Sequence, residues 1–345
     1  MLSLRVLNAS YSLKPANRKL PFHLVYHEGY YLPLGAHVFP AQKYRLIYKR
    51  LMEDEIAGED DFIRPGPAKD DDILLVHSHD YVERLRSGMI TPQEELQMEV
   101  PYSPELVEAF WLAAGGSILA AQHAVKDGIC FNIGGGFHHA CPGHGEGFCV
   151  IHDVAVAIRR AQLDGLVKNV MVVDCDVHHG NGTATIFPPR RTTSAPLPSG
   201  YMVQRDSSAS SSGSVFTISL HQQHNYPVHK PPSAIDVNVP DGTTDQEYLA
   251  WLDNALSSGL RQFTPDLLCY VAGADPYKED QLGGLALTIE GLKERDRKIF
   301  RIAYAKGIPV MVTYAGGYAR HVKDTVIIHC NTVIAANESI TAPSL

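Results

Sequence analysis

Short apolar runs recur along the chain, and longer segments with helical periodicity separate them. The apolar runs predict buried strands, and the periodic segments predict helices. The predicted strands are residues 23–26, 129–133, 170–173, 215–220, 267–272 and 308–313. The predicted helices are residues 103–125, 153–163 and 288–306. This alternation predicts an α/β fold: a single domain with a mostly parallel sheet flanked by helices on both faces.

The pattern contains no internal repeat and no boundary between two domains. We interpret residues 1–21 as an N-terminal tail and residues 22–340 as one catalytic domain. Residues 188–214 are rich in Pro and Ser and have no apolar periodicity. They predict a flexible insertion, with a lid over the site as the alternative, because structureless segments of that length are uncommon within compact domains.

Composition narrows the class of protein further. The formal net charge of -8 and the absence of a Lys/Arg run argue against direct nucleic-acid binding. No apolar stretch is long enough to predict a membrane span. The six cysteines form no C-x-x-C pair and several lie in apolar runs, which is typical of a reducing compartment. We therefore expect a cytoplasmic protein, with the nucleus or an organelle as alternatives.

The segment that follows the apolar run 170–173 carries the clearest chemical signal. Asp174, Asp176 and His178 occupy alternate positions, which share one face of an extended chain. Open α/β sheets bind ligands at the carboxyl ends of their strands, and carboxylate with imidazole suits a divalent metal of the zinc type. The alternative is a strand end with polar surface residues. Three ionisable side chains on one face argue against that alternative.

Polar side chains also follow three other predicted strands. His138 and His139 come after three glycines and suit acid–base chemistry, although one could be a core residue and the other exposed. Asp275 can complete a metal set with Asp176 and His178 that leaves a position open for water. Tyr318 can donate a hydrogen bond to a developing oxyanion, or it is simply a packed loop residue. Four such strand ends together predict a metallohydrolase.

These motifs resemble the zinc-dependent histone deacetylase family, which has the arginase/deacetylase fold. The resemblance rests on the Gly-Gly-Phe-His138-His139, Asp174-Cys-Asp176-Val-His178, Gly-Ala-Asp275 and Gly-Gly-Tyr318 motifs and extends over about residues 22–336. Segments 147–149, 226–227 and 236–243 look like the class IV branch and its bacterial relatives.

The resemblance implies a role for each matching residue. One Zn²⁺ per chain would be held by Asp176, His178 and Asp275, with Tyr318 polarising the acyl carbonyl. His138 and His139 would form the acid–base pair, with His139 as the proton acceptor. The resemblance and the loop positions also assign supporting residues: Asp174 and Asn181 behind the histidines, Asp280 in the loop after Asp275, Phe148 and Tyr226 as tunnel walls, and Asp174 with Ser219 at a structural K⁺ or Na⁺ site. Asn181 stands where some relatives have Asp, which would make His139 less basic.

The implied function is a zinc-dependent amidohydrolase that removes an acetyl or longer fatty acyl group from a lysine ε-amine. The substrate would be an acylated lysine in a protein or peptide. Three alternatives stay open: a deacylase of small acylated amines such as acetylpolyamines, a two-metal enzyme of the ureohydrolase type, and a catalytically weak acyl-lysine binder.

Overall fold

The computed structural model describes residues 18–189 and 213–341. Within those ranges the chain forms eight strands and ten α-helices. The strands are β1 (His23–Val25), β2 (Phe62–Ile63), β3 (Ile129–Asn132), β4 (Val170–Asp174), β5 (Val215–Gln222), β6 (Ile235–Val239), β7 (Leu267–Val271) and β8 (Val310–Thr313). The helices are α1 (Lys43–Glu53), α2 (Asp70–Ile73), α3 (His79–Ser87), α4 (Pro92–Met98), α5 (Pro104–Asp127), α6 (Asp153–Leu163), α7 (Asn181–Ile186), α8 (Asp245–Gln262), α9 (Ile289–Ala305) and α10 (Val322–Thr341).

The described strands form one sheet in the order β2-β1-β3-β8-β7-β4-β5-β6, and every pair is parallel. The predicted fold class is therefore confirmed. Helices cover both faces of the sheet, and β4 shows the consequence. Val170 and Val172 belong to the core cluster that contains residues of α5 and α6, whereas Met171 and Val173 belong to the cluster that contains residues of α8, α9 and α10. A strand buried on both faces needs apolar residues at successive positions.

Local sequence explains where the predicted helices begin. The Ser103 hydroxyl accepts a hydrogen bond from the Leu106 amide (3.0 Å), and Pro104 occupies the first turn of α5. The Thr288 hydroxyl caps α9 in the same way through the Gly291 amide (2.9 Å). The prediction missed β2, β6 and seven of the described helices, among them the long helices α8 and α10.

Two predicted segments lie largely outside the described residues. These are residues 1–17 of the tail and residues 190–212 of the insertion, so both interpretations stay predictions. Among the described residues at the start of the chain, Leu20 and Phe22 are buried. None of the helices in the described ranges is long and apolar enough to cross a membrane.

Candidate active site

The residues singled out by the sequence meet at one edge of the sheet. β3, β8, β7 and β4 are consecutive neighbours, and their carboxyl ends carry the histidine pair, Tyr318, Asp275 and Asp176 respectively. The alternation argument for Asp176 and His178 was wrong in one respect. β4 ends at Asp174, and both residues lie in the loop that follows. Backbone hydrogen bonds rather than strand pleating bring them together.

Three donor side chains form a buried cluster at this edge. His178 Nδ1 lies 3.0 Å from Asp176 Oδ1 and 3.2 Å from Asp275 Oδ2. The carboxylates are held by backbone amides: Gly316 N donates to Asp176 Oδ2 (2.8 Å), and Val177 N donates to Asp275 Oδ1 (2.9 Å). A Cβ at Gly316 would lie only 2.0 Å from Asp275 Oδ2. Glycine at this position therefore gives the two carboxylates room to converge.

The electrostatics of the cluster indicate a place for a cation. Burial and the Asp176 carboxylate raise the pKa of Asp275 to about 7. Burial opposes charge on His178, yet the adjacent carboxylates of Asp176 and Asp275 raise its pKa to about 10. Asp275 Oδ2 is fully buried and accepts no hydrogen bond. Two buried carboxylates with an unsatisfied oxygen beside an imidazole fit a divalent metal of the zinc type.

His138 and His139 lie beside this cluster in different environments. His138 Nδ1 lies 2.7 Å from Asp174 Oδ2, and His139 Nδ1 lies 2.6 Å from Asn181 Oδ1. Burial lowers the pKa of His138, but the charges of Asp174 and Asp176 outweigh it and raise the pKa to about 9. Burial and the positive charge of His138 hold the pKa of His139 well below 6.5. The pair therefore contains one charged and one neutral imidazole.

The tautomer of His139 follows from the contacts of Glu146, a residue with no predicted role. Glu146 Oε1 accepts hydrogen bonds from Asn181 Nδ2 (3.0 Å) and from the Tyr226 hydroxyl (2.9 Å). A carboxylate only accepts, so the Asn181 amide nitrogen must face Glu146 and its oxygen must face His139. His139 then donates from Nδ1 and keeps Nε2 free to accept a proton.

Tyr318 is fixed by its backbone and its ring. Its amide donates to Asp280 Oδ2 (2.7 Å), and Asp280 Oδ1 accepts from the amides of Leu282 and Gly283. Asp280 thus organises the loop that follows Asp275 and holds the Tyr318 backbone. The Tyr318 ring centroid lies 6.2 Å from that of His178. Burial and the Asp176 charge raise the pKa of Tyr318 well above its usual value, so the phenol stays a donor.

A narrow cavity leads to these groups. Its empty volume is about 280 Å³, and aromatic rings line it. Phe148 and Phe39 pack on Tyr318 with centroids 5.9 Å and 6.0 Å away. Tyr226 contacts the His139 ring edge-on at 4.9 Å but is not among the residues that line the cavity. Phe39 had no signal in the sequence, because it lies in a segment without regular periodicity.

Two buried cationic side chains, Lys43 and Arg295, donate hydrogen bonds to backbone carbonyls of the loops that carry the site. Lys43 Nζ donates to the Ala315 carbonyl (2.5 Å), and Ala315 has a left-handed backbone with φ of 51°. Arg295 Nη1 donates to the carbonyls of Gly273 (2.7 Å) and Cys175 (3.3 Å), next to the loops that carry Asp275 and Asp176. Both residues lie on amphipathic helices, where a charged side chain normally faces solvent, so the sequence pattern could not reveal them.

The predicted monovalent-cation residues are neighbours across the sheet. Asp174 on β4 pairs in register with Ser219 on β5. The Ser219 hydroxyl lies 2.9 Å from His221 Nδ1, and Asp174 Oδ1 accepts from the Asp176 amide (3.1 Å). A K⁺ or Na⁺ ion bound by Asp174 and Ser219 stays a prediction.

A parallel α/β sheet with a carboxylate–imidazole cluster and a histidine pair at its carboxyl edge is typical of metal-dependent hydrolases.

Residues 37–333 match the histone deacetylase domain. An uncharacterised protein of Picosynechococcus is 37% identical over 309 residues, which cover 89% of this chain and 96% of that protein. Histone deacetylase 2 of Arabidopsis thaliana is 32% identical over 303 residues, which cover 84% of this chain and 73% of that protein.

Solved structures share the fold. A histone deacetylase homologue from Aquifex aeolicus superposes with a TM-score of 0.72 at 23% identity, covering 92% of this chain and 84% of that one. The HD domain of HDA15 superposes with a TM-score of 0.73 at 22% identity, covering 94% and 92%. The chain belongs to the histone deacetylase family.

Proposed function

We propose that this deacetylase-family protein is a zinc-dependent hydrolase that removes acyl groups from the ε-amine of lysine. The observation that carries the proposal is the buried cluster of Asp176, His178 and Asp275 beside two histidines with opposite pKa shifts. Environments that separate the pKa values of neighbouring groups are how enzymes assign acid and base roles.

Asp176, His178 and Asp275 would hold the zinc ion. When bound, zinc supplies a Lewis acid that lowers the pKa of water and polarises an acyl oxygen. Backbone amides fix the two carboxylates before the metal arrives, since Gly316 and Val177 each donate to one of them. Three protein ligands leave a coordination position for water or substrate.

The histidine pair would move the protons. His139 is neutral and its Nε2 is free, so it is the group that accepts a proton from the attacking water. His138 is held protonated by Asp174 and is the group that returns a proton to the leaving amine. Asn181 fixes the tautomer of His139 without adding a negative charge, which keeps that imidazole neutral.

Tyr318 would donate a hydrogen bond to the oxyanion that develops on the acyl group. Phe39 and Phe148 pack around the Tyr318 ring and exclude water, which strengthens that hydrogen bond. The same aromatic lining suits the aliphatic stem of a lysine side chain. The relatives named histone deacetylases support acyl-lysine as the substrate class.

A fluorogenic acetyl-lysine peptide, assayed before and after chelation and after zinc is restored, tests the proposal. Hydrolysis should disappear on chelation and return with zinc. Asp275→Asn should abolish hydrolysis, because it removes a ligand charge with little change of shape. The control Asp253→Asn alters an exposed aspartate on α8 that pairs with Lys298, and it should behave like wild type.

A substrate panel then separates the alternatives. Lysine peptides with acetyl through myristoyl groups are compared with acetylated polyamines under the same conditions. Efficient hydrolysis of at least one acyl-lysine peptide supports the proposal. Hydrolysis of acetylpolyamines alone would replace it with the small-amine alternative, and zinc binding without any hydrolysis would leave only an acyl-lysine binder.

A further inference from the structure

The loop that follows His139 gathers a second set of metal-type donors. Cys141 N donates to the His144 carbonyl (2.9 Å), and Glu146 N donates to the Cys149 carbonyl (2.9 Å). These two tight turns bring the Cys141 thiol, the His144 imidazole and the Glu146 carboxylate together, with ligand atoms within 4.8 Å of one another. Only Glu146 has a part in the site described above.

The donor set and its spacing fit a zinc-type ion. Thiolate, imidazole and carboxylate are the ligands that zinc accepts, and tetrahedral bonds of roughly 2.0–2.3 Å place neighbouring ligand atoms about 3.5 Å apart. His144 Nε2 already lies 3.3 Å from Glu146 Oε2. The Cys141 thiol donates to the His139 carbonyl at 3.6 Å and lies within 4.8 Å of both other ligand atoms.

The surroundings stabilise a positive charge at this point. The neighbouring Cys141 thiol and the Glu146 carboxylate raise the pKa of His144 to about 10. A divalent ion would take the place of that charge and release the imidazolium and thiol protons. The His144 side chain is 37% exposed, so an ion can enter from solvent.

Glu146 connects this cluster with the proposed base. Its Oε2 faces His144, while its Oε1 accepts from Asn181, whose oxygen accepts from His139. An ion on Oε2 would withdraw negative charge from the carboxylate and weaken its hold on Asn181. His139 would then lose basicity and orientation together.

We propose that Cys141, His144 and Glu146 form a second divalent-metal site of the zinc type, and that filling it inhibits the enzyme. The binding part stands on the geometry of the loop alone. The inhibitory part rests on the proposed deacylase function.

Cadmium titration of the protein with its tight zinc retained tests the binding part. A cadmium–thiolate bond gives an ultraviolet charge-transfer band, and Asp176, His178 and Asp275 provide no sulfur. Wild type should develop the band with one equivalent of cadmium. Cys141→Ala should lose it, His144→Ala should weaken it, and the matched control Cys330→Ala, which alters a buried cysteine on α10, should keep it. A missing band in wild type, or an unchanged band in Cys141→Ala, would overturn the site.

Activity measured with added zinc tests the inhibitory part. Zinc beyond the first equivalent should lower turnover of the acetyl-lysine peptide severalfold in wild type, and Cys141→Ala should resist it. Equal inhibition of both proteins would overturn the regulatory role. If wild type hydrolyses no acyl substrate, the proposed function fails, while the cadmium band still decides whether the metal site exists.

Discussion

Replacing Tyr318 with Phe isolates the phenol that is proposed to stabilise the oxyanion. The ring contacts with Phe39 and Phe148 and the backbone bond to Asp280 do not involve the hydroxyl, so the variant should fold and bind zinc like wild type. Tyr318 is only 6% exposed, and its raised pKa keeps the donor proton in place. Loss of one such donor costs about 2.7–4 kcal/mol in the transition state, or roughly 100- to 1000-fold in kcat.

The assay compares kcat and kcat/KM for the acetyl-lysine peptide with zinc content and Tm. Tyr314→Phe is the matched control. It removes a phenol oxygen in the same loop, and that oxygen is buried and has no hydrogen-bond partner. That control should keep near-wild-type activity. If Tyr318→Phe also stays within a few-fold of wild type while retaining zinc, the oxyanion role is wrong.

Three further predictions concern the groups around the site. Asn181→Asp places a carboxylate next to His139 and should raise the pKa of His139, which moves the acidic limb of the pH–rate profile to higher pH; an unmoved limb would argue against His139 as the base. Arg295→Met leaves the Asp296 carboxylate buried without its ion-pair partner and should cost about 3–5 kcal/mol in denaturant unfolding. Combining it with Asp296→Asn should recover much of that loss, and strict additivity of the two changes would contradict the coupling.

The sequence predicted the parts of the fold that follow from continuous apolar runs. β4 and β7, buried on both faces, were identified almost to the residue. β2 has only two residues, and β6 alternates partly buried with exposed positions before its buried last residue, so neither forms an apolar run. α8 and α10 were missed although α8 begins with a capping box formed by Thr244 and Glu247.

The residues proposed to hold the metal, move the protons and bind the oxyanion were predictable because each follows a strand or a glycine-rich turn. The supporting groups were not, since their roles depend on chain segments that are distant in sequence. Lys43 and Ala315 are 272 positions apart, and Arg295 and Cys175 are 120 apart. The cluster of Cys141, His144 and Glu146 does have a sequence signal in its close spacing, but it contains only one cysteine and so no C-x-x-C pair.

X-ray absorption at the zinc edge, on protein loaded with a single equivalent of zinc, tests the central claim most directly. The account predicts oxygen and nitrogen neighbours at about 2.0–2.2 Å and no sulfur, because the tight site consists of Asp176, His178 and Asp275. A sulfur neighbour at about 2.3 Å would place the first zinc on a cysteine and contradict the assignment. Failure of Asp275→Asn to change the spectrum would contradict it equally.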